Sequence, residues 1–278
     1  MSKIVILGAG HVGSVCALQL AASSICEEVV LIDILVNAVG VSRKPGQTRL
    51  DLLDVTIDIM DQVIAQMKKT RFHGIIISIS NPCDVVANYF RVHYEYPAQK
   101  IFGTGTSLDT ARLRRTISEM ASVDMKSITC YAMGEHGDSS IVPVSQIRIG
   151  GESLKRLQKV CPERFGSITR EVLEERTHQI GMEIVIGKGS TEFGIGTALA
   201  DLCKAVLYDE HRVFPVSALL EGEYGQEGLM VGVPAIIGKD GVEMILELPL
   251  TDEEKTDFAA SCDIVRTYNH KAEDRTVK

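Results

Sequence analysis

The sequence predicts an α/β protein with two domains, a doubly wound parallel sheet followed by an α+β domain. Three observations lead to this prediction: strands and helices alternate in the first part of the chain, a glycine-rich turn follows the first strand, and the pattern changes after Gly103. Alternation of strands and helices is typical of parallel sheets, because each parallel pair needs a crossover connection that is usually a helix. We therefore expect domains at residues 1–103 and 104–278.

The elements of the first domain follow from short apolar runs and amphipathic segments. A long predicted helix carries Val55, Ile59, Val63 and Met67 at every fourth position, which we interpret as its buried stripe. The predicted elements are, in chain order, strand 3–7, a helix to about Ser24, strand 28–32, helix 51–69, strand 74–79, helix 84–94 and strand 100–102.

The second domain mixes helices with antiparallel strands. The residues Lys239-Asp240-Gly241 lie between apolar runs, as expected of a hairpin turn. The last helix is predicted to begin at Thr251, because Glu254 follows three residues later and the pair forms a capping box. The other predicted elements are helix 107–121, short strands at 128–132 and 141–149, helices at about 163–187 and 192–208, and β-rich segments at 212–219 and 229–248.

The composition excludes several classes of protein. A net charge of −8 argues against a nucleic-acid-binding protein, which would present a basic face. The longest apolar runs have the length of strands, so we expect no membrane-spanning helix, and the first residues show no signal-peptide pattern. The seven cysteines are scattered without a C-x-x-C pair, which is typical of reduced thiols in a cytoplasmic protein rather than of disulfides or a zinc site.

The run GAGHVG at residues 8–13 is the first candidate binding motif. It directly follows a predicted strand and begins a predicted helix, and Asp33 ends the next predicted strand 20 residues after Gly13. Glycines at these positions allow a tight turn and let the backbone approach a pyrophosphate at the helix N-terminus. A carboxylate at Asp33 accepts hydrogen bonds from a ribose diol and repels a 2′-phosphate. The motif therefore predicts a Rossmann-type domain that binds NAD rather than NADP.

Three further segments carry groups suited to acid–base chemistry and to anion binding. Asp109 and Arg112 share a face of a predicted helix, and arginine can hold a carboxylate through two parallel hydrogen bonds. His136 lies among small residues in the loop GEHGDSS, where an imidazole can exchange protons near neutral pH. The segment 41–49, VSRKPGQTR, is polar and carries three cations, as expected of a loop that closes over an anionic substrate. Taken singly, each would more often be a surface ion pair, a solvated histidine or a solvated loop.

Together with four other segments, these motifs occur in a specific order: GAGHVG, RKPGQTRLDLL, SNPCDVV, GTGTSLDTARLRR, GEHGDSS, GKGSTEFGIGTALAD, LEGEYGQEG and GVPAIIGKDGVE. The set resembles the L-lactate/malate dehydrogenase family, particularly its bacterial L-lactate dehydrogenases, over nearly the whole chain. The resemblance implies an NAD-dependent oxidoreductase that converts pyruvate and NADH to L-lactate and NAD. It also implies a cytoplasmic homotetramer or homodimer.

The resemblance implies a role for individual residues. His136 would exchange the proton of the substrate hydroxyl, and Asp109 would fix the tautomer of its ring. Arg112 would bind the substrate carboxylate, and Arg49 would polarise the C2 carbonyl as its loop closes. The other implied contacts are with the substrate at Asn81, Arg43 and Thr191, and with NAD at Gly8, Gly10, His11, Val12, Gly13, Asp33, Gly40, Asn81 and Ile195. No metal site is implied, and the Asn81-Pro82 bond is a candidate cis peptide.

The N-terminal domain departs from the family pattern at one point. Asp33 should end the second strand, and the next parallel strand of the family resembles residues 35–40, so only Ile34 separates the two. A crossover needs about a dozen residues or more, and a strand–helix excursion has roughly 30. Either a stretch is missing from the sequence as written, or the chain has a real internal deletion. The intact motifs on both sides favour a missing stretch. A real deletion would predict failed NAD binding and an inactive dinucleotide-binding relative of the family.

Two further positions concern the substrate and regulation. Arg43 lies where malate enzymes carry an arginine for the second carboxylate, whereas Thr191 and the rest of the loop resemble lactate enzymes. We therefore expect lactate, with malate and L-2-hydroxyisocaproate as the alternatives. Arg114 resembles a residue of a sugar-bisphosphate activator site, but Thr129 replaces its usual histidine partner. This replacement predicts weak activation or none.

Overall fold

The computed structural model describes residues 4–8, 10–22, 34–40, 52–188 and 191–276. The predicted strand 28–32, Asp33 and the loop 41–49 lie outside these ranges. The N-terminal elements are β1 (Ile4–Leu7), α1 (His11–Ala22), β2 (Ile34–Asn37), α2 (Leu53–Met67), β3 (Ile75–Ser78), α3 (Cys83–Tyr94) and β4 (Ile101–Gly103).

Helices dominate the C-terminal part. Its elements are α4 (Ser107–Ala121), β5 (Ile128–Thr129), β6 (Arg148–Ile149), β7 (Glu152–Ser153), α5 (Leu154–Val160), α6 (Pro162–Phe165), α7 (Arg170–Lys188), α8 (Phe193–Leu207), β8 (Arg212–Glu221), β9 (Glu227–Gly238), β10 (Gly241–Ile245) and α9 (Asp252–Thr276). Together with the N-terminal strands, these elements confirm an α/β protein.

The main sheet has the strand order β1-β2-β3-β4-β8-β9-β10 within the described ranges. The first four strands are parallel, and β2 pairs with β1 from Ile34 opposite Ile4 and with β3 from Ile34 opposite Ile75. All residues of β2 and β3 are buried, as expected of parallel strands covered on both faces. The carboxyl ends of these strands therefore meet at one edge, where a dinucleotide binds in folds of this type.

The position of β2 corrects the strand expected at residues 35–40. The strand begins at Ile34 and ends at Asn37, and it pairs directly with β1. The described parallel strands consequently follow one another in chain order. Helix α1 lies between β1 and β2 in the chain and occupies the place of the crossover connection.

The buried face of α2 also differs from the prediction. Val55 is 44% exposed, whereas Leu53, Ile57, Met60 and Ile64 are buried. Residues exactly four apart drift around a helix with 3.6 residues per turn, because each step overshoots a full turn by about 40°. Spacings that alternate between three and four remain on one side, and the sheet contacts that side.

A second, three-stranded sheet, β5-β6-β7, supports the helices of the C-terminal part. The predicted helix at about 163–187 is divided into α6 and α7, and α5 was missed. The break follows from local chemistry: the Thr169 hydroxyl accepts a hydrogen bond from the Val172 N–H at 3.5 Å, as a helix-capping residue does. Ile168, which lies in the break, is fully buried and anchors it against the smaller core.

A predicted hairpin turn and a predicted helix cap are confirmed. The β9–β10 hairpin pairs Gly238 with Gly241, so Lys239 and Asp240 form its turn. At the start of α9, the Thr251 N–H donates to Glu254 at 2.9 Å and the Glu254 N–H donates to the Thr251 hydroxyl at 3.2 Å. This reciprocal pair is the capping box expected from the sequence.

The main core crosses the boundary that the sequence suggested. Strand β4 is joined to β8 by the pairing of Gly103 with Ser217, and the larger core contains residues of β1–β4 together with α8, β8, β9 and α9. The six cysteines within the described ranges are free thiols. None of the helices described is both long enough and apolar enough to span a bilayer.

Candidate active site

The centre of the candidate site is a carboxylate that serves two partners. Asp109, in the first turn of α4, accepts a hydrogen bond from His136 Nδ1 on Oδ2 at 2.7 Å and one from Arg112 Nη1 on Oδ1 at 3.1 Å. All three side chains are only 13–14% exposed. Because a carboxylate only accepts, Nδ1 of His136 carries the hydrogen, and the second ring nitrogen is then the proton-exchanging atom of the neutral imidazole. The structure thus brings His136 together with the pair of Asp109 and Arg112, which the sequence placed in a separate segment.

The backbone of the histidine loop is held by several contacts. Gly134 has φ 92° and exchanges two backbone hydrogen bonds of 2.9 Å with Gly232 on β9. A side chain at Gly134 would collide with Ser261 on α9, so glycine is required by both conformation and space. The Ser261 hydroxyl also accepts a hydrogen bond from the Glu135 N–H at 2.8 Å. These contacts fix the loop to the sheet and to the last helix.

A second buried carboxylate contacts the same loop. Asp84, in the first turn of α3, is 2% exposed and accepts a hydrogen bond from the His136 N–H at 2.7 Å. Its other oxygen accepts a hydrogen bond from the Ser217 hydroxyl on β8. Burial raises the pKa of Asp84 to about 6, although the hydrogen bonds from Ser217 and His136 act in the opposite direction. Sequence reasoning did not single out Asp84, which stands inside the quoted motif SNPCDVV.

A cavity of about 320 Å³ lies beside Arg112, between α4, α7 and the start of α8. Thr191 and Glu192 line it, so both lie next to the proposed carboxylate-binding residue. The absence of a side chain at Gly181 on α7 leaves room for the Arg112 guanidinium, because a Cβ there would lie only 3.2 Å from Arg112 Nη1. Glu192 is 9% exposed and was also missed from the sequence.

Glu192 connects this cavity with the glycine-rich turn. Its Oε1 lies 3.3 Å from Nδ1 of His11, the first residue of α1. The helices α1 and α8 approach closely here, since a Cβ at Gly196 would lie 2.8 Å from Val15 Cγ1. The candidate dinucleotide turn and the candidate substrate cavity are therefore adjacent.

The glycine-rich turn has the shape that a pyrophosphate needs. Gly8 has φ 102°, and a Cβ there would lie 2.6 Å from the Ala38 carbonyl oxygen. A Cβ at Gly13 would collide with the Gly8 carbonyl, whereas nothing lies near the position of a Cβ at Gly10. The first and third glycines thus pack the turn tightly, and the middle one leaves the start of α1 open to an anion. These features fit NAD.

The other predicted site residues lie at the same edge or outside the described ranges. Asn81 is exposed at the end of β3, and the Asn81-Pro82 bond is cis, as expected. Gly40 follows β2, Val12 lies in the first turn of α1, and Ile195 is half-buried on α8. The predicted residues outside the described ranges are Asp33, Arg43 and Arg49.

The sequence profiles of one protein family match most of the chain. The NAD-binding domain of the lactate/malate dehydrogenases matches residues 34–103, and the α/β C-terminal domain of the same enzymes matches residues 106–275. The chain belongs to the lactate/malate dehydrogenase family. The resemblance inferred from the eight motifs is therefore confirmed.

Individual members of the family are similar over nearly their whole length. The L-lactate dehydrogenase 3 of Bacillus thuringiensis subsp. konkukian is 38% identical over 304 residues, covering 96% of each chain. The L-lactate dehydrogenase of Fusobacterium nucleatum is 36% identical over 304 residues, covering 96% of this chain and 95% of that relative. The crystal structure of the minor L-lactate dehydrogenase from Enterococcus mundtii, in its ligand-bound form, has a TM-score of 0.89 at 31% identity, covering 97% of this chain and 98% of that one.

Two features of these matches bear on the absent strand–helix segment, and only the second concerns its position next to Ile34. Both alignments to the bacterial relatives extend over 304 positions, whereas this chain has 278 residues, so the relatives carry residues without a counterpart here. The match to the NAD-binding profile begins at residue 34 and leaves residues 1–33 outside. Both features are expected if a strand–helix segment is absent at this point.

Proposed function

We propose that this protein is an NAD-dependent L-lactate dehydrogenase, which interconverts pyruvate and L-lactate. The observation that carries the proposal is the 2.7 Å hydrogen bond between Asp109 and His136 with Arg112 on the same carboxylate. The arrangement places a proton-exchanging imidazole next to a guanidinium that can bind a carboxylate, which are the two groups that a 2-hydroxy acid requires. Family membership and the glycine-rich turn support the choice of NAD.

The proton transfer is assigned to His136. In lactate oxidation its neutral ring accepts the hydroxyl proton, and in pyruvate reduction its protonated ring donates a proton to the C2 oxygen. Asp109 keeps the ring in one tautomer and stabilises the imidazolium, since it lies 2.7 Å from Nδ1. When bound, NAD supplies the acceptor for the hydride of the substrate C2–H bond.

Substrate binding is assigned to Arg112, with help from residues at the rim of the site. Arg112 would hold the substrate carboxylate through two parallel hydrogen bonds. Thr191 lines the cavity beside it, and Asn81 stands at the end of β3, where it can contact the substrate and the nicotinamide ribose. By resemblance, Arg49 polarises the C2 carbonyl when the loop closes.

The described residues favour pyruvate over oxaloacetate. Glu192 lines the same cavity as Arg112 and Arg115 and is 9% exposed, so a second substrate carboxylate placed next to Glu192 would meet a carboxylate of the protein. Such a like-charge contact selects against the dicarboxylic acid. Arg43 is the residue that would favour malate if it reached the pocket, and L-2-hydroxyisocaproate is the bulkier alternative.

The preference for NAD over NADP is assigned to Asp33, by its hydrogen bonds to the ribose diol and its repulsion of a 2′-phosphate. Residues 1–103 are proposed as the dinucleotide-binding domain and 104–278 as the substrate domain. The segment without counterpart next to Ile34 would contribute strands on the adenine side. Because a true deletion of that segment would leave an inactive dinucleotide-binding relative, the intact mass of the natural protein together with a measured Kd for NADH distinguishes the two cases.

The cellular location and the oligomeric state are also part of the proposal. The free thiols within the described ranges and the bacterial relatives favour the cytoplasm. A homotetramer or homodimer is proposed from family membership, and sedimentation measures it directly.

The function is tested by following NADH oxidation with pyruvate, oxaloacetate and 2-ketoisocaproate in parallel. We expect the highest kcat/KM with pyruvate. His136→Gln is the matched control, and it should lower turnover by about 10²–10⁴-fold while NADH still binds. A wild-type enzyme that binds NADH but reduces none of the three acids would contradict the proposal.

A further inference from the structure

Asp84 is a buried charge that the proposed chemistry does not use directly. It is 2% exposed, and its two oxygens accept hydrogen bonds from the backbone N–H of His136 and from the hydroxyl of Ser217. The histidine ring is hydrogen-bonded to the other carboxylate, Asp109. The acceptor behind the backbone of the histidine loop is therefore a carboxylate rather than a neutral group.

We infer that Asp84 is a positioning residue that clamps the backbone of His136 to α3, and that protonation of Asp84 releases this clamp. The inference rests on the proposed role of His136. A charged acceptor makes a shorter and roughly twofold stronger hydrogen bond to an N–H than a neutral acceptor does. The 2.7 Å distance between the His136 nitrogen and Asp84 Oδ2 is in the range of such a bond.

The clamp joins elements that are remote in the chain. Asp84 is 52 residues from His136 and 133 residues from Ser217, and the three belong to α3, the histidine loop and β8. Helix α3 begins directly after Asn81-Pro82, at the cofactor edge of the sheet. Holding His136 from α3 therefore sets the position of the proton-exchanging ring relative to the edge where the nicotinamide would lie.

Two carboxylates then define the position of one imidazole. Asp109 on α4 fixes the rotation of the ring, and Asp84 on α3 fixes the backbone from which the ring projects. Loss of the second anchor leaves the ring hydrogen bond intact but lets the backbone shift. Small displacements of this kind are costly, because proton and hydride transfer need closely defined geometry.

The groups around Asp84 make its charge sensitive to pH. Burial and, to a smaller extent, the charge of Glu135 on the loop raise its pKa, whereas the hydrogen bonds from Ser217 and His136 and the charge of His136 lower it; the net pKa is about 6. The thiols of Cys83 on α3 and Cys262 on α9 are the other titratable groups that interact with it. Because the folded pKa lies near 6, Asp84 is ionised at neutral pH and becomes protonated under mildly acidic conditions.

The direction of the reaction separates this effect from the titration of His136. Pyruvate reduction needs the protonated imidazole, so acidification favours the required state of His136 and cannot itself lower the rate. A loss of kcat for pyruvate reduction below about pH 6 would then report a different group. If the protonated Asp84 form is inactive, kcat falls about tenfold between about pH 7 and pH 5.

The experiment compares kcat for pyruvate reduction against pH in three variants. Asp84→Asn is a neutral acceptor for the His136 N–H, as protonated Asp84 is, and it cannot titrate, so we expect a kcat at least about tenfold lower near pH 7, close to that of the wild type near pH 5, and no acid limb. Ser217→Ala removes a hydrogen bond that lowers the pKa of Asp84, so we expect the acid limb to move to higher pH. Glu254→Gln, which removes another buried carboxylate in the capping box of α9, is the control and should retain the acid limb.

A second measurement does not depend on activity. The amide of His136 can be followed by selective ¹⁵N-histidine labelling, because the chain has seven histidines. Its shift should change near pH 6 by more in the wild type than in Asp84→Asn, and in Ser217→Ala the part of the change that depends on Asp84 should move to higher pH. An acid limb that persists in Asp84→Asn, or an amide that does not follow Asp84, would overturn the inference. A titrating amide in a wild type without pyruvate turnover would instead overturn the proposed function.

Discussion

Replacing Asp109 by asparagine should remove the hydrogen bond to one neighbour of this carboxylate and weaken the bond to the other. The single oxygen of the new side-chain amide can accept a hydrogen bond from either His136 Nδ1 or Arg112 Nη1. Its N–H₂ group would then face the other donor, and that hydrogen bond would be lost. Each charge-assisted hydrogen bond contributes about 1.5–3 kcal/mol, so losing one of the two costs roughly that amount, and the bond that remains is weaker because its acceptor is neutral. At about 1.4 kcal/mol per factor of ten, kcat/KM for pyruvate should fall by at least about 10–10².

The assay is steady-state NADH oxidation over a wide range of pyruvate concentration. We expect kcat to fall because the His136 tautomer is no longer fixed, and KM to rise because Arg112 loses its anchor. Glu119→Gln on the same helix is the control: its 2.7 Å pair with Arg115 is more than half exposed, and such pairs contribute only about 0.2–1 kcal/mol. A loss below fivefold in Asp109→Asn, or an equal loss in Glu119→Gln, would refute the reasoning.

Three further predictions concern Arg112, Gly13 and His211. Arg112→Lys should raise the pyruvate KM by at least about tenfold at constant charge, because an ammonium lacks the planar two-bond fork; an unchanged KM in the same assay would show a purely structural ion pair. Gly13→Ala should abolish NADH binding measured by fluorescence, because its methyl group would collide with the Gly8 carbonyl; an unaltered Kd would contradict this. The hydrogen bond to Glu243 raises the pKa of His211, so this pair stabilises the fold below the unfolded pKa of about 6.5 and the effect is lost as pH rises through the folded pKa. His211→Gln should consequently lower the Tm under mildly acidic conditions and not under alkaline ones, and a Tm difference independent of pH would exclude the explanation.

Local patterns in the sequence predicted those features that depend on neighbouring residues. The capping box at Thr251 and Glu254 and the hairpin turn at Lys239-Asp240 involve residues only a few positions apart. The residue types alone are therefore nearly sufficient to predict these two features. The glycine-rich turn belongs to the same class, because Gly8 and Gly13 meet within a single β–α connection. The order of eight motifs added the family, and with it the roles of Asp109, Arg112 and His136.

Two elements show where local patterns were insufficient. The stripe from Val55 to Met67 was apolar, but the side of α2 that is buried depends on where the sheet lies, and Val55 is 44% exposed. The helix expected at 163–187 was continuous by composition, whereas burial of Ile168 and capping by Thr169 divide it. For α2, the packing of the whole fold outweighed the periodicity of the segment, and for residues 163–187 a local cap together with the burial of Ile168 did so.

The sequence by itself determined the α/β class, the dinucleotide turn and the three residues of the proton-transfer and carboxylate-binding group. Only the tertiary structure placed Asp84 behind His136, 52 residues away, and Glu192 beside both Arg112 and His11. The physical reason is that strand register and helix packing, rather than spacing along the chain, decide which side chains from distant elements meet. A buried carboxylate such as Asp84 has no local signature, because its low exposure and its partners exist only once α3, β8 and the histidine loop have packed together.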